Sequence, residues 1–134
     1  MKFLNVLFLI CLLSLTFFSC SGPTDIGAHD WKVRSIKGAP ATREQLADMT
    51  LKFGEDKKVS GSSICNDFKG QAVYNEEKVK FSTLYADSKP CDERFIEQAY
   101  LTSLEMSKKY SQTANRLVFY DDKGNITVEL EKIN

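Results

Sequence analysis

Between Trp31 and Glu131 the chain is written as short stretches of alternating apolar and polar residues, each closed by a turn after roughly ten residues, and this spacing constrains the fold more than any other feature. Successive side chains on a strand point to opposite faces, so each stretch presents one apolar side for burial. Trp31-Lys32-Val33-Arg34-Ser35-Ile36 opens the series and is broken by Gly38-Ala39-Pro40. Residues 50–53 and 58–62 flank a turn at Gly54-Glu55-Asp56-Lys57, and residues 68–74 and 78–84 flank another at Asn75-Glu76-Glu77. Residues 110–113, 117–120 and 126–131 complete the set, the last two joined by Asp121-Asp122-Lys123-Gly124-Asn125. The pattern predicts a mainly β (α+β) domain: a small antiparallel barrel-like sheet of about seven to eight strands.

One segment changes period. Over residues 92–107 the apolar Phe95, Ile96, Ala99, Tyr100, Leu104 and Met106 recur mostly at three- and four-residue intervals, which predicts one amphipathic helix packed against the sheet. Asp92 and Glu93 stand where their charge would favour the helix start. Residues 42–47 predict a single helical turn capped by Thr42. Trp31, Phe53, Phe81, Tyr85, Phe95, Phe119 and Tyr120 are read as core filling, in preference to the lining of a ligand cavity.

The amino terminus has a different character. Lys2 precedes an uncharged apolar run from Phe3 to Phe18, which is the anatomy of a signal peptide and is shorter than a membrane-spanning helix. The run ends at Ser19-Cys20-Ser21. A small residue before a cysteine at this place resembles the bacterial lipobox, with Phe17 where that motif usually has Leu. The resemblance implies removal of residues 1–19, acylation of Cys20 and a tether over residues 20–29, leaving a domain over 30–134 and a protein held in the bacterial cell envelope by its lipid. Ser21, in place of a retaining Asp, points to the outer membrane. Export removes Cys11 and lipid occupies Cys20, so Cys65 and Cys91 remain in an oxidising compartment, either as a disulfide or as two buried thiols.

Charge and side-chain inventory exclude several functions. Lys plus Arg and Asp plus Glu both number 18, so the chain lacks the basic excess that nucleic-acid binding requires. His29 is the one histidine, which removes His-based metal clusters and leaves one imidazole as general base. Cys65-Asn66-Asp67 beside Ser60, Ser62 and Ser63 is read as a turn, not as a nucleophile served by His29. The Asp121–Asn125 loop lacks the ligand spread of an EF-hand. No residue set specifies a reaction, a cofactor or a metal.

Gly61, Cys65, Asn66, Phe68 and Gly70 form the most specific motif, and together with Trp31, Leu51, Phe53 and Cys91 they resemble the META domain family, which includes HslJ-like bacterial heat-shock lipoproteins. Glu93, Phe95, Leu101, Leu104, Tyr110 and the stretch Leu117-Val118-Phe119-Tyr120-Asp121 extend the likeness. Ile64 stands where that family usually has a second Gly, and Asp87-Ser88-Lys89-Pro90 replaces its usual approach to Cys91. The resemblance implies a barrel-like sheet with one helix and no shared catalytic residues. It leads to the expectation of a non-enzymatic binding or scaffolding protein, linked to envelope stress tolerance, with the membrane and an envelope protein as partners. Two other readings are an inhibitor of an exported hydrolase such as lysozyme and a barrel that binds a small ligand.

Overall fold

The computed structural model describes residues 25–133, so the expected signal segment and Cys20 lie outside the described residues. Alternation sorts the side chains of each strand onto two faces, and the apolar faces of eight strands meet in one core. The strands are β1 Asp30–Ile36, β2 Thr50–Phe53, β3 Lys58–Ser62, β4 Asp67–Tyr74, β5 Val79–Ala86, β6 Lys109–Gln112, β7 Arg116–Tyr120 and β8 Ile126–Lys132. All neighbours pair antiparallel in the order β5-β4-β3-β2-β1-β8-β7-β6, forming a curled half-barrel. The two edge strands approach each other where Lys78 bridges Lys109, with Val79 N–H donating to Lys108 O and Tyr110 N–H to Glu77 O.

Two of the three register shifts in the sheet, those in β5 and β1, set which side chains enter the core. In β5 the register moves from Gln71 opposite Ser82 to Lys69 opposite Tyr85, and Thr83 at the step has φ +54°. A shift of one residue inverts the alternation. Val79 and Phe81 therefore face inward before the step, Leu84 and Ala86 pack against the core after it, and Tyr85 is turned out, 61% exposed. The expected core role of Tyr85 is corrected by this bulge. In β1 a similar step between Val33 and Ser35 brings Ile36 inward.

The helix Arg94–Met106 connects the two edge strands and packs on β5, β8 and β1. Its buried residues are Ile96, Glu97, Tyr100, Ser103 and Leu104, while Phe95 is 66% exposed and Met106 is also outside. At 3.6 residues per turn Phe95 lies about 140° round the helix from Tyr100, and polar Glu97 and Ser103 occupy the inward arc because each has a partner there. Phe95 is thus corrected from core to surface. Glu93 sits at the helix N-cap without a side-chain capping bond, and its Oε1 instead accepts from Gln45 Nε2 at 3.0 Å. Gln45 belongs to the short helix Arg43–Leu46, where Thr42 and Gln45 form a reciprocal capping box.

The packed body also begins earlier than Asp30. Ile26–Ala28 form a 3-10 turn capped by Asp25, whose Oδ1 accepts from Gly27 N–H at 2.8 Å. Ile26 is fully buried and its carbonyl accepts from Trp31 Nε1 at 2.9 Å. The last part of the expected tether is therefore part of the domain. Inside the sheet, Phe68 meets Tyr100 edge to face at 5.5 Å and Phe81 meets Phe119 at 5.3 Å, with Phe53 bridging Phe81 and Tyr74. Burial pushes the Tyr100 phenol well above its ordinary pKa, and its hydroxyl donates to Thr50 O at 3.0 Å.

Candidate functional site

The Gly61-to-Gly70 motif builds a joint between the sheet and the long helix. A Cβ on Gly61 would lie 2.1 Å from Thr50 O, and one on Gly70 would lie 2.5 Å from Leu84 Cδ2, so both strands close on these positions. Cys65, in the loop after β3, is bonded to Cys91, just before the helix, with Cα atoms 5.7 Å apart. Beside the bridge, the buried Glu97 carboxylate accepts from Ser63 Oγ and from Asn66 Nδ2 at 3.1 Å, and Asn66 Oδ1 accepts from Lys89 N–H at 3.1 Å. These groups satisfy one another and tie loop to helix. Cys65 has no free thiol, Ser63 is engaged with Glu97, and His29 lies edge to face with Trp31 at 6.1 Å. The structure therefore brings Cys65, Asn66 and Cys91 together in a structural role.

Ligand-sized space lies on the outside of the sheet. One open groove of about 750 Å³ runs over β3, β4 and β5 beside the β2–β3 hairpin, and Lys58, Ser60, Lys69, Gln71, Thr83 and Tyr85 line it. Thr83 is a β-branched residue in the left-handed region, a conformation costing on the order of 1–2 kcal/mol, and it is held there beside the exposed Tyr85 ring. Sequence inspection misses this site, because the bulge that turns Tyr85 outward leaves no mark on the alternating letters of β5.

A second groove, of about 490 Å³, follows the seam between the edge strands. Val73, Tyr74, Lys78, Lys80, Lys108, Lys109 and Asp122 are among its lining residues. The lysines come from segments about thirty residues apart, so only the closure of the curled sheet assembles them. At the same rim Tyr74 Oη donates to Asp25 Oδ1 at 3.0 Å. Partial burial first, and then the Asp25 carboxylate, raise the phenol pKa values of Tyr74 and Tyr110. Among the described residues no group of His, Cys, Asp and Glu is arranged to hold a metal ion.

The META domain family model matches residues 24–132. The fold is similar to the crystal structure of a DUF4847 family protein from Bacteroides vulgatus, with a TM-score of 0.61 at 10% identity, covering 78% of this chain and 92% of that one. It is also similar to the solution structure of a protein from Burkholderia xenovorans, with a TM-score of 0.60 at 21% identity, covering 79% of this chain and 82% of the other. A further solution structure has a TM-score of 0.60 at 22% identity and covers 82% and 93%. At these identities the likeness is one of fold. No match is found among curated proteins.

Proposed function

The chain belongs to the META domain family, and from that premise we propose that it is a lipid-anchored, non-catalytic binding protein of the bacterial envelope, with a scaffolding role in envelope stress tolerance. The lipobox-like Ser19-Cys20 supports the anchor, with acylation at Cys20. The observation that carries the binding role is the distribution of space. Trp31, Phe68, Tyr100 and Phe119 fill the interior at 0–1% exposure, whereas the groove at Lys58, Lys69, Thr83 and Tyr85 is open on the outer face. A filled sheet recognises through its surface, so a protein partner is favoured over an internal small ligand. An exposed tyrosine opposite Lys69, in a groove that also holds Lys58, Glu55 and Asp56, suits a partner surface with an apolar pocket and charges of both signs at its rim.

The test has two parts. Mass spectrometry of the amino-terminal peptide from membranes should show acylated Cys20 as the first residue, and an unmodified Cys20 rejects the anchor. A photo-crosslinking residue at Tyr85 should capture one defined envelope protein, and Lys69→Glu should abolish the capture. Adducts that appear equally from position 123 reject the groove as the binding surface. If the captured protein is an exported hydrolase and its turnover falls on binding, the scaffold reading yields to the inhibitor reading.

A further inference from the structure

We infer that the lysine-lined seam between β5 and β6 docks onto an anionic bilayer surface and sets the orientation of the domain on the membrane. The inference rests on the proposed acylation of Cys20. Lys78 and Lys109 face each other across the bridge that closes the seam, with Lys80 and Lys108 beside them, against one lining carboxylate, Asp122. Like charges directly opposed on neighbouring strands repel. Among the described residues the ion pairs are Arg34 with Glu131, Lys37 with Asp121 and Lys52 with Asp30, none of which includes these four lysines, and Lys108 Nζ donates to Glu105 O at 3.3 Å. Glu76 and Glu77 are on the adjoining turn but do not line the groove.

The attachment point selects the occupant. Asp25, the first described residue, is hydrogen-bonded to Tyr74 on the groove rim, and Cys20 is five residues before it. At roughly 3.3–3.6 Å per residue, five residues reach at most about 18 Å from lipid to domain. Such a leash holds the seam close to the headgroups, within a few Debye lengths of the surface charge. Clustered lysines at that height match the phosphates of anionic lipids, and the exposed Val73 adds an apolar contact at the same edge.

The full chain, processed in a bacterial host and purified in detergent, is reconstituted in vesicles of phosphatidylcholine alone or of equimolar phosphatidylcholine and phosphatidylglycerol. Lysine acetylation rates are then read by mass spectrometry together with the state of Cys20. The expected result is acylated Cys20 and acetylation of Lys78, Lys80, Lys108 and Lys109 slowed about fivefold on the anionic vesicles, with Lys69 and Lys89 unchanged and the difference lost in high salt. Acylated Cys20 with equal rates on both vesicles overturns the docking surface and leaves the anchor standing. Unmodified Cys20 overturns the anchor and the docking with it. Equal slowing by inorganic phosphate on neutral vesicles overturns the bilayer as occupant in favour of a free anion.

Discussion

Single residues show how local chemistry is tuned within this sheet. Asp121 closes the β7–β8 hairpin: its carboxylate accepts from Lys37 Nζ at 3.0 Å, from the Asn125 and Lys123 backbone N–H groups and from the Asn125 side chain. Its pKa is held far below the ordinary 3.8, first by Lys37 and then by the Asn125 N–H. A carboxylate with a depressed folded pKa contributes stability that is complete above its unfolded pKa and is lost as pH falls through the folded value. Asp121→Asn should therefore be less stable than the parent at neutral pH, and the gap should narrow steadily below about pH 4 in urea titrations. Asp56 and Lys57 have φ +55° and +61° at the centre of the β2–β3 turn, the combination a type I′ hairpin demands and glycine accepts best. Lys57→Gly should raise stability by about 0.5–1 kcal/mol, read as a shift in urea midpoint without a change in slope. The alternating letters around this turn identify a hairpin, but not that both central positions are left-handed non-glycine residues.

The long helix is fixed at its start by covalent and polar links, and its behaviour tests their weight. The bridge closes a loop between positions 26 apart in sequence, for which the chain-entropy estimate is about 3.5 kcal/mol. Replacing both cysteines by serine should lower stability by roughly that amount while far-ultraviolet dichroism stays native, since Ile96, Tyr100 and Leu104 still pack on the sheet. Helix existence was legible because the three- and four-residue spacing of apolar residues is strong over 92–107. Its inward face was legible only in part. Hydrophobicity alone ranks Phe95 above Glu97, whereas burial also follows whether a polar group finds donors, and the donors Ser63 and Asn66 come from a loop thirty residues away.

The whole molecule is a sheet whose two edges are joined by a helix and whose first turn packs beneath Trp31. Strand number and antiparallel character were legible, because each strand writes its own alternation. The grooves were not, since they depend on a bulge at Thr83 and on the meeting of edges that are adjacent only after the sheet curls. The packing of residues 25–29 is not legible for a related reason: a single apolar residue, Ile26, among Gly, Thr and Asp makes no pattern, yet it is fully buried. Ile26→Ala removes apolar atoms from that site and loosens the turn whose carbonyl holds Trp31 Nε1. It should cost about 2–4 kcal/mol in urea unfolding, within the range of large-to-small changes in a core. Trp31 is the one tryptophan of the chain, so its emission should shift to longer wavelength in the same variant as water reaches the indole. A residue in a solvated tether would change neither signal, and an unaltered midpoint together with unaltered emission would return residues 20–29 to the role of linker.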